Sequence, residues 1–155
     1  TGLGIQFQTA ARLLMAGVKV PVIKLMIGGF DTHAEQEPQH SQLLREVSSN
    51  IATFAKVMKS NNLWNNVAIM SYSEFGRRVD ENNSSGTDHG TAAPQFVFGG
   101  KVKGGLYGDQ PQLNNLENEN LKYQVHFREI YASIARDWWG MRAKFIREKS
   151  LNLFS

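Results

Sequence analysis

The stretch "VPVIKLMIGGFDTH", residues 20–33, is the part of the sequence on which the predicted fold depends. Residues 20–27 are apolar almost throughout, as is typical of a parallel strand that is covered on both faces. Gly28 and Gly29 let the backbone turn sharply where it leaves this strand. Asp31 and His33 follow at once, so the sequence places two ionisable side chains at the end of a predicted buried strand.

The next apolar patterns predict a helix and two further strands. Residues 38 to about 61 repeat apolar side chains at three- and four-residue spacing, and Pro38 suits the first turn of a helix. Residues 67–72, "VAIMSY", are typical of a second buried strand. Strand, helix and strand in this order predict a right-handed parallel crossover. Residues 95–100 predict a third, short strand.

The remaining segments predict two helices and two loops. Residues 5–16 predict a short helix, and residues 126 to about 139 predict an amphipathic helix. The polar residues 80–93 and the turn-rich residues 101–115 predict loops. We therefore expect an α/β fold with a mainly parallel sheet flanked by helices, in which residues 1–155 form a single domain.

The composition limits the classes of partner. The 17 Lys and Arg residues are scattered and the formal net charge is +3, which argues against a nucleic-acid surface. No apolar run approaches the ~20 residues that cross a bilayer, so we expect no membrane span. The absence of cysteine excludes disulfides and thiolate metal ligands. Because the sequence starts without Met, we expect a fragment or a processed product of a longer protein.

Polar residues gather where the predicted strands end. They are Asp31 and His33 after the first strand, Glu74 and Arg77 after the second, and Asp88 and His89 before the third. The carboxyl ends of parallel strands share one edge of a sheet, so the first two groups are expected there. The third group reaches this edge if its strand runs antiparallel to the others. The three groups together predict one site.

The residue types at these positions are those of a metal site. Carboxylate and imidazole without thiolate are typical ligands of zinc, manganese, iron or magnesium. Such an ion polarises a phosphoryl or sulfuryl oxygen, or lowers the pKa of bound water. Glu74 is expected to be a ligand, a general base or a residue that orients a ligand. Arg77 carries a planar set of donors that suits phosphate or sulfate.

These residues also have interpretations that involve no function. Asp31 is typical of a turn-capping residue, and His33 of a solvated loop histidine. Glu74 and Arg77, after the second strand, are compatible with a structural ion pair. Two other histidines are expected to be less central: His40 as a solvent-facing helix residue or a distant ligand, and His126 as a helix cap or a surface group.

Several motifs together resemble one family. They are "GGFDTH", "SEFGRR", "GTDHGTA", "FVFGGKVKGGLYG" and "FREIYASIARDWWG", and they span nearly all of residues 20–140. In order and spacing they resemble the C-terminal part of a large bacterial family called domain of unknown function 1501. That family resembles the alkaline-phosphatase-like superfamily of phosphatases and sulfatases.

The resemblance implies a fold and a function. The chain is expected to be about the last third of an alkaline-phosphatase-like sandwich and the C-terminal part of a metal-dependent phosphoric- or sulfuric-ester hydrolase-like protein. The substrate is expected to be a small-molecule or polymer ester, and the remainder of the longer chain is the expected partner. The nucleophile would lie outside residues 1–155, so this chain alone is expected to be inactive. The parent protein is expected to be exported or periplasmic.

The resemblance also implies roles for individual residues. The expected metal is zinc or manganese, with calcium or magnesium as alternatives. The expected ligands are Asp31, His33, Glu74, Asp88 and His89, with His40 as the alternative to His33. Glu74 and Arg77 are the expected catalytic residues, and the guanidinium would steady the anion.

Two other functions stay open on the sequence. The superfamily has an Asp-His pair where this chain has Ser73 and Glu74. This difference favours a non-catalytic binding or structural protein on a degenerate phosphatase-like scaffold. The third hypothesis is a self-sufficient α/β domain that binds an anion through Arg77 and Arg78.

Overall fold

The structure, a computed structural model, describes residues 1–142 and 144–155. The chain divides into two compact units. Unit 1 consists of Thr1–Val67 and Asp80–Asp88, and unit 2 consists of Ala68–Val79 and His89–Ser155.

Unit 1 contains the two helices predicted from the first part of the sequence. Helix α1 spans Gly2–Met15 and helix α2 spans Gln36–Ser60, so both predictions are confirmed with small shifts at the ends. The Thr1 side chain caps α1 by accepting a hydrogen bond from the Gly4 backbone N–H. At the other end, Gly17 has a φ of 72°. Such a left-handed residue after the last turn is a common end of a helix, and glycine adopts it without strain.

The two helices of unit 1 pack through a small aromatic and aliphatic contact. The rings of Phe7 and Phe54 lie 5.3 Å apart between centroids, at an interplanar angle of 52°. Three- and four-residue spacing places the buried side chains of each helix on one face. These side chains are Leu3, Phe7, Ala10 and Ala11 of α1, and Phe54 and Met58 of α2.

The predicted strand at residues 20–27 is wrong, because the segment forms no strand. Its side chains alternate: Val22 is 62% exposed and Met26 is 66% exposed, while Ile23, Leu25 and Ile27 are half-buried. The backbone of Met26 hydrogen-bonds to the side chain of Gln6 in α1, N–H to Oε1 at 2.8 Å and carbonyl oxygen from Nε2 at 2.8 Å. The side-chain amide of Gln6 therefore makes the hydrogen bonds to the Met26 backbone that a neighbouring strand was expected to make.

Six short strands occur in the described residues. They are β1 Ala68–Met70, β2 Gly76–Glu81, β3 Thr87–Gly90, β4 Val97–Gly99, β5 Leu116–Glu117 and β6 Asn120–Leu121. They form three separate two-stranded sheets, β1 with β4, β2 with β3, and β5 with β6. Strands β2 and β3 occupy part of the predicted loop at residues 80–93, so that prediction is wrong for these residues.

The predicted α/β fold with a mainly parallel sheet, as part of an alkaline-phosphatase-like sandwich, is also wrong. Strands β1 and β4 confirm that residues 67–72 and 95–100 contain strands, but the two pair antiparallel, with Ile69 opposite Phe98. A parallel crossover needs a strand before α2, and residues 20–27 supply none. The polar groups therefore do not share the carboxyl edge of one sheet.

Unit 2 contains the predicted C-terminal helix. Helix α3 spans Phe127–Ser133 and continues as a π-helical turn, Ile134–Trp138. His126 caps α3, since its Nδ1 accepts from the Arg128 backbone N–H and the Glu129 carboxylate accepts from the His126 backbone N–H. The predicted helix at residues 126–139 and the predicted capping role of His126 are both confirmed.

The core of unit 2 includes the last residues of the sequence. Ile130, Leu153 and Phe154 are buried together, and the rings of Trp138 and Phe154 lie 5.2 Å apart between centroids. The Lys103 backbone N–H donates to the Leu153 carbonyl at 2.8 Å. Leu151, Leu153 and Phe154 thus belong to this core.

Among residues 1–142 and 144–155, none of the helices combines the length and the apolar character needed to cross a membrane.

Replacing Phe7 with alanine tests the packing of α1 on α2. The Phe7→Ala change should lower the free energy of unfolding by about 3–5 kcal/mol, because it removes a buried ring and leaves a cavity. Ile5, on the same helix, is 66% exposed, so Ile5→Ala should change it by less than about 0.5 kcal/mol. Urea denaturation followed by far-UV circular dichroism measures both. Equal midpoints for the two variants would contradict this packing.

Candidate metal site

Asp31 and His33 lie on the same side of the segment that leads into α2. The side chain of Thr32, between them, is buried, whereas both neighbours are exposed. This alternation is what a non-helical segment produces when residues two apart point the same way. Just before it, Gly29 has a φ of 93°, and a Cβ there would lie 3.4 Å from the Leu43 side chain. The spacing of the Asp and the His in the sequence therefore does bring them together.

His33 lies between two carboxylates of unit 1. Its Nε2 is 3.0 Å from Asp31 Oδ1, and its Nδ1 is 3.5 Å from Asp88 Oδ1. We call Asp31, His33 and Asp88 the His33 cluster. The three side chains are 65%, 47% and 59% exposed in that order, so water and small ions reach them.

The two ring nitrogens of His33 place the two carboxylates in different roles. Two atoms bound to one tetrahedral zinc ion at about 2.0–2.2 Å lie about 3.3–3.6 Å apart, a little more than the 3.0 Å between Asp31 Oδ1 and His33 Nε2. One imidazole cannot bind the same ion through both nitrogens. Asp88, at Nδ1, therefore suits the role of the carboxylate that orients a metal-binding histidine.

A tight turn at residues 82–86 holds the His33 cluster in place; we call it the Asn82 turn. The Asn82 backbone N–H donates to the Gly86 carbonyl at 2.8 Å and closes the turn. A Cβ built on Gly86 would lie 2.3 Å from the carbonyl carbon and oxygen of His33. Only glycine fits such an approach, so this turn packs directly on the backbone of the histidine.

The Asn82 turn also caps helix α2. The residue before this helix, Glu35, has a φ of 43° and makes no side-chain capping hydrogen bond. Instead, the backbone N–H groups of Glu35 and Gln36 donate to the carbonyls of Ser84 and Ser85, at 3.0 Å and 2.9 Å. These bonds satisfy donors that the start of a helix leaves without an intrahelical partner.

Three of the other predicted site residues lie in unit 2. The ring of His89 stacks on Phe75 with 3.8 Å between centroids and an interplanar angle of 10°. The Arg77 guanidinium lies over the same Phe75 ring at 5.1 Å. This contact favours a fixed position for the guanidinium. Glu74 is exposed in the segment between β1 and β2.

The remaining candidates have structural contacts. Arg78 forms an ion pair with Glu119 in unit 2. The ring of His40 makes an edge contact with Phe30 in unit 1, at 5.5 Å between centroids. These contacts give both residues a packing or pairing role.

Sequence reasoning did not single out Asn82. The stretch "NNSSG" at residues 82–86 contains the signal, because an Asn followed by serines and a glycine favours a turn closed by the Asn side chain. The sequence alone gave no sign that this turn packs on His33.

The structure thus defines a protein of helices and short strand pairs with an exposed carboxylate–imidazole cluster. The profile of the family described as "Protein of unknown function (DUF1501)" matches residues 6–138. The chain belongs to this family, which confirms the family resemblance of its motifs. No curated protein and no solved structure matches the chain.

A Gly86→Ala change tests the packing of the Asn82 turn on His33. It should lower the free energy of unfolding by about 1–3 kcal/mol, because the added methyl group overlaps the His33 carbonyl. Gly28→Ala is the matched control, since a Cβ there meets nothing within 4 Å. Thermal unfolding followed by circular dichroism compares the two. If both variants melt at the same temperature, the close approach described here is wrong.

Proposed function

We propose that this chain binds a divalent cation through Asp31 and His33, and that it is part of a metal-dependent phosphoric- or sulfuric-ester hydrolase-like protein. The observation that carries the proposal is the position of His33, with one ring nitrogen 3.0 Å from Asp31 Oδ1 and the other facing Asp88. This arrangement places two candidate ligand atoms, His33 Nε2 and Asp31 Oδ1, side by side, and it places the Asp88 carboxylate where it can orient the ring.

The donor set fits zinc or manganese. Carboxylate oxygen and imidazole nitrogen are ligands that both ions accept, and the chain has no cysteine to offer a softer ligand. Calcium and magnesium, which prefer oxygen ligands, fit a site containing an imidazole less well. By the resemblance to phosphatases and sulfatases, His89 is a further proposed ligand.

The site residues of this chain are proposed to have different roles. A bound cation supplies Lewis-acid polarisation of an ester oxygen or a more acidic bound water. Asp31 and His33 would hold the cation, and Asp88 would keep the Nδ1 proton of His33 so that Nε2 stays available. Arg77 is proposed to steady the phosphate or sulfate group, and Glu74 to act as a general base or orienting group.

The reacting nucleophile is not assigned to any residue of this chain. The resemblance implies a nucleophile on another segment of a longer, exported protein. For residues 1–155 alone, the proposal therefore predicts metal binding without ester hydrolysis.

A non-catalytic function is the second candidate, and the same geometry motivates it. An imidazolium between two carboxylates makes two ion pairs without any metal, and both ring nitrogens of His33 face a carboxylate. Exposed ion pairs of this kind contribute little to stability, about 0–1 kcal/mol. Metal binding is therefore the measurement that separates the two candidates.

Calorimetric titration of the 155-residue protein with Zn²⁺ and with Mn²⁺ tests the proposal. Asp31→Ala and His33→Ala should each weaken binding by more than about 100-fold, because each removes a ligand. Asp88→Ala should weaken it by about 10–100-fold, as expected for a carboxylate that orients a ligand. Asp80→Ala, which removes another exposed carboxylate of unit 1, should leave the affinity unchanged.

The possible results separate the hypotheses. If the unaltered protein binds neither ion, the metal proposal is wrong and the non-catalytic function is favoured. If Asp88→Ala abolishes binding as completely as Asp31→Ala, Asp88 is a direct ligand. Hydrolysis of p-nitrophenyl phosphate or sulfate by this chain with added Zn²⁺, Mn²⁺ or Ca²⁺ would show that the nucleophile lies within residues 1–155.

A further inference from the structure

Asn82 uses the full hydrogen-bonding capacity of its side-chain amide. Its Oδ1 accepts from the backbone N–H groups of Ser84 and Gly86, at 2.9 Å and 3.1 Å. Its Nδ2 donates to the His33 carbonyl at 3.0 Å and to Asp88 Oδ1 at 3.5 Å. An asparagine amide has two N–H donors and one oxygen with two lone pairs, and all of them are engaged here.

The turn decides which way this amide faces. Because Oδ1 must accept from two backbone N–H groups, Nδ2 is directed away from the turn and toward acceptors. The acceptors it meets are the backbone of His33 and the carboxylate of Asp88. The half-buried Asn82 therefore links the candidate ligand to the carboxylate that faces its ring.

We propose that Asn82 is a positioning residue, which sets Asp88 against Nδ1 of His33 and so holds Nε2 in place for a cation. This inference rests on the proposed cation site. The Asp88 oxygen that Asn82 contacts is the same Oδ1 that faces His33 Nδ1. Without the amide donor, this exposed carboxylate loses a contact that keeps it beside the ring. Groups that orient a histidine ligand typically change metal affinity by about 10–100-fold.

A double-mutant cycle with Asp88 tests this role, with Zn²⁺ as the probe and calorimetry as the measurement. Asn82→Ala should weaken Zn²⁺ binding by about tenfold in the otherwise unaltered protein. In a protein that already carries Asp88→Ala, the same change should weaken binding by about threefold or less, because the carboxylate it positions is gone. Asn83→Ala, at the exposed neighbouring position, should leave the affinity unchanged in both backgrounds.

A second variant guards against loss of the turn. Asn82→Ser keeps an oxygen that accepts from the backbone N–H two residues on, but it lacks the amide N–H donors. It should therefore retain the melting temperature better than Asn82→Ala and still lose about tenfold in Zn²⁺ affinity.

The outcomes distinguish this inference from the proposed function. An equal loss from Asn82→Ala in the two backgrounds would mean that Asn82 acts through the turn or through its hydrogen bond to the His33 carbonyl and not through Asp88, which overturns the positioning role. Full affinity in Asn82→Ser overturns it as well. Zn²⁺ binding by the unaltered protein that no Asn82 variant changes overturns the inference alone. Absence of Zn²⁺ binding by the unaltered protein overturns the proposed function and, with it, this inference.

Discussion

The close approach of Gly86 to the backbone of His33 is the constraint on which the start of α2 and the His33 cluster depend. A Cβ at position 86 would lie 2.3 Å from the His33 carbonyl, so the Asn82 turn can approach the His33 backbone this closely only with glycine at that position. Once there, the Asn82 turn presents its carbonyl groups to the first N–H groups of α2 and its asparagine amide to His33 and Asp88. The contact between Gly86 and the backbone of His33 thus fixes both the start of helix α2 and the spacing of the side chains in the His33 cluster.

The His33 cluster is held by backbone contacts more than by its own charges. Ion pairs between exposed groups contribute little, because water screens them and long side chains lose entropy. Hydrogen bonds to backbone groups at 2.8–3.1 Å in the Asn82 turn impose the geometry instead. In the proposed cation site, the ligands would be positioned before the ion arrives, which would reduce the cost of ordering them on binding.

The parts of the fold that local pattern controls could be predicted from the sequence, and the parts that depend on distant pairing could not. Helix α2 follows from its apolar spacing and from Pro38, and Gly17 marks the end of α1. The prediction for residues 20–27 failed because the apolar run was taken to be covered on both faces, whereas Val22 and Met26 are exposed. The backbone of Met26 pairs with the side chain of Gln6 and not with a neighbouring strand.

In the candidate site too, the local contacts could be predicted from the sequence and the distant ones could not. The two-residue spacing of Asp31 and His33 is local, and it predicted their proximity. The approach of Asp88 and the role of Asn82 depend on a hairpin turn more than 45 residues further along the chain, which no local pattern specifies.

The burial of Leu153 and Phe154 in the core of unit 2 has a consequence for biosynthesis. At 3% and 7% exposure, these side chains pack against residues as early in the chain as Ala68 and Met70. Every residue of unit 1 precedes them, so a growing chain releases all of unit 1 from the ribosome while unit 2 still lacks part of its interior. The apolar side chains of β1 and α3 are therefore covered only after residues 153 and 154 have been synthesised, and exposed apolar surface of this kind makes a partly folded chain prone to aggregation.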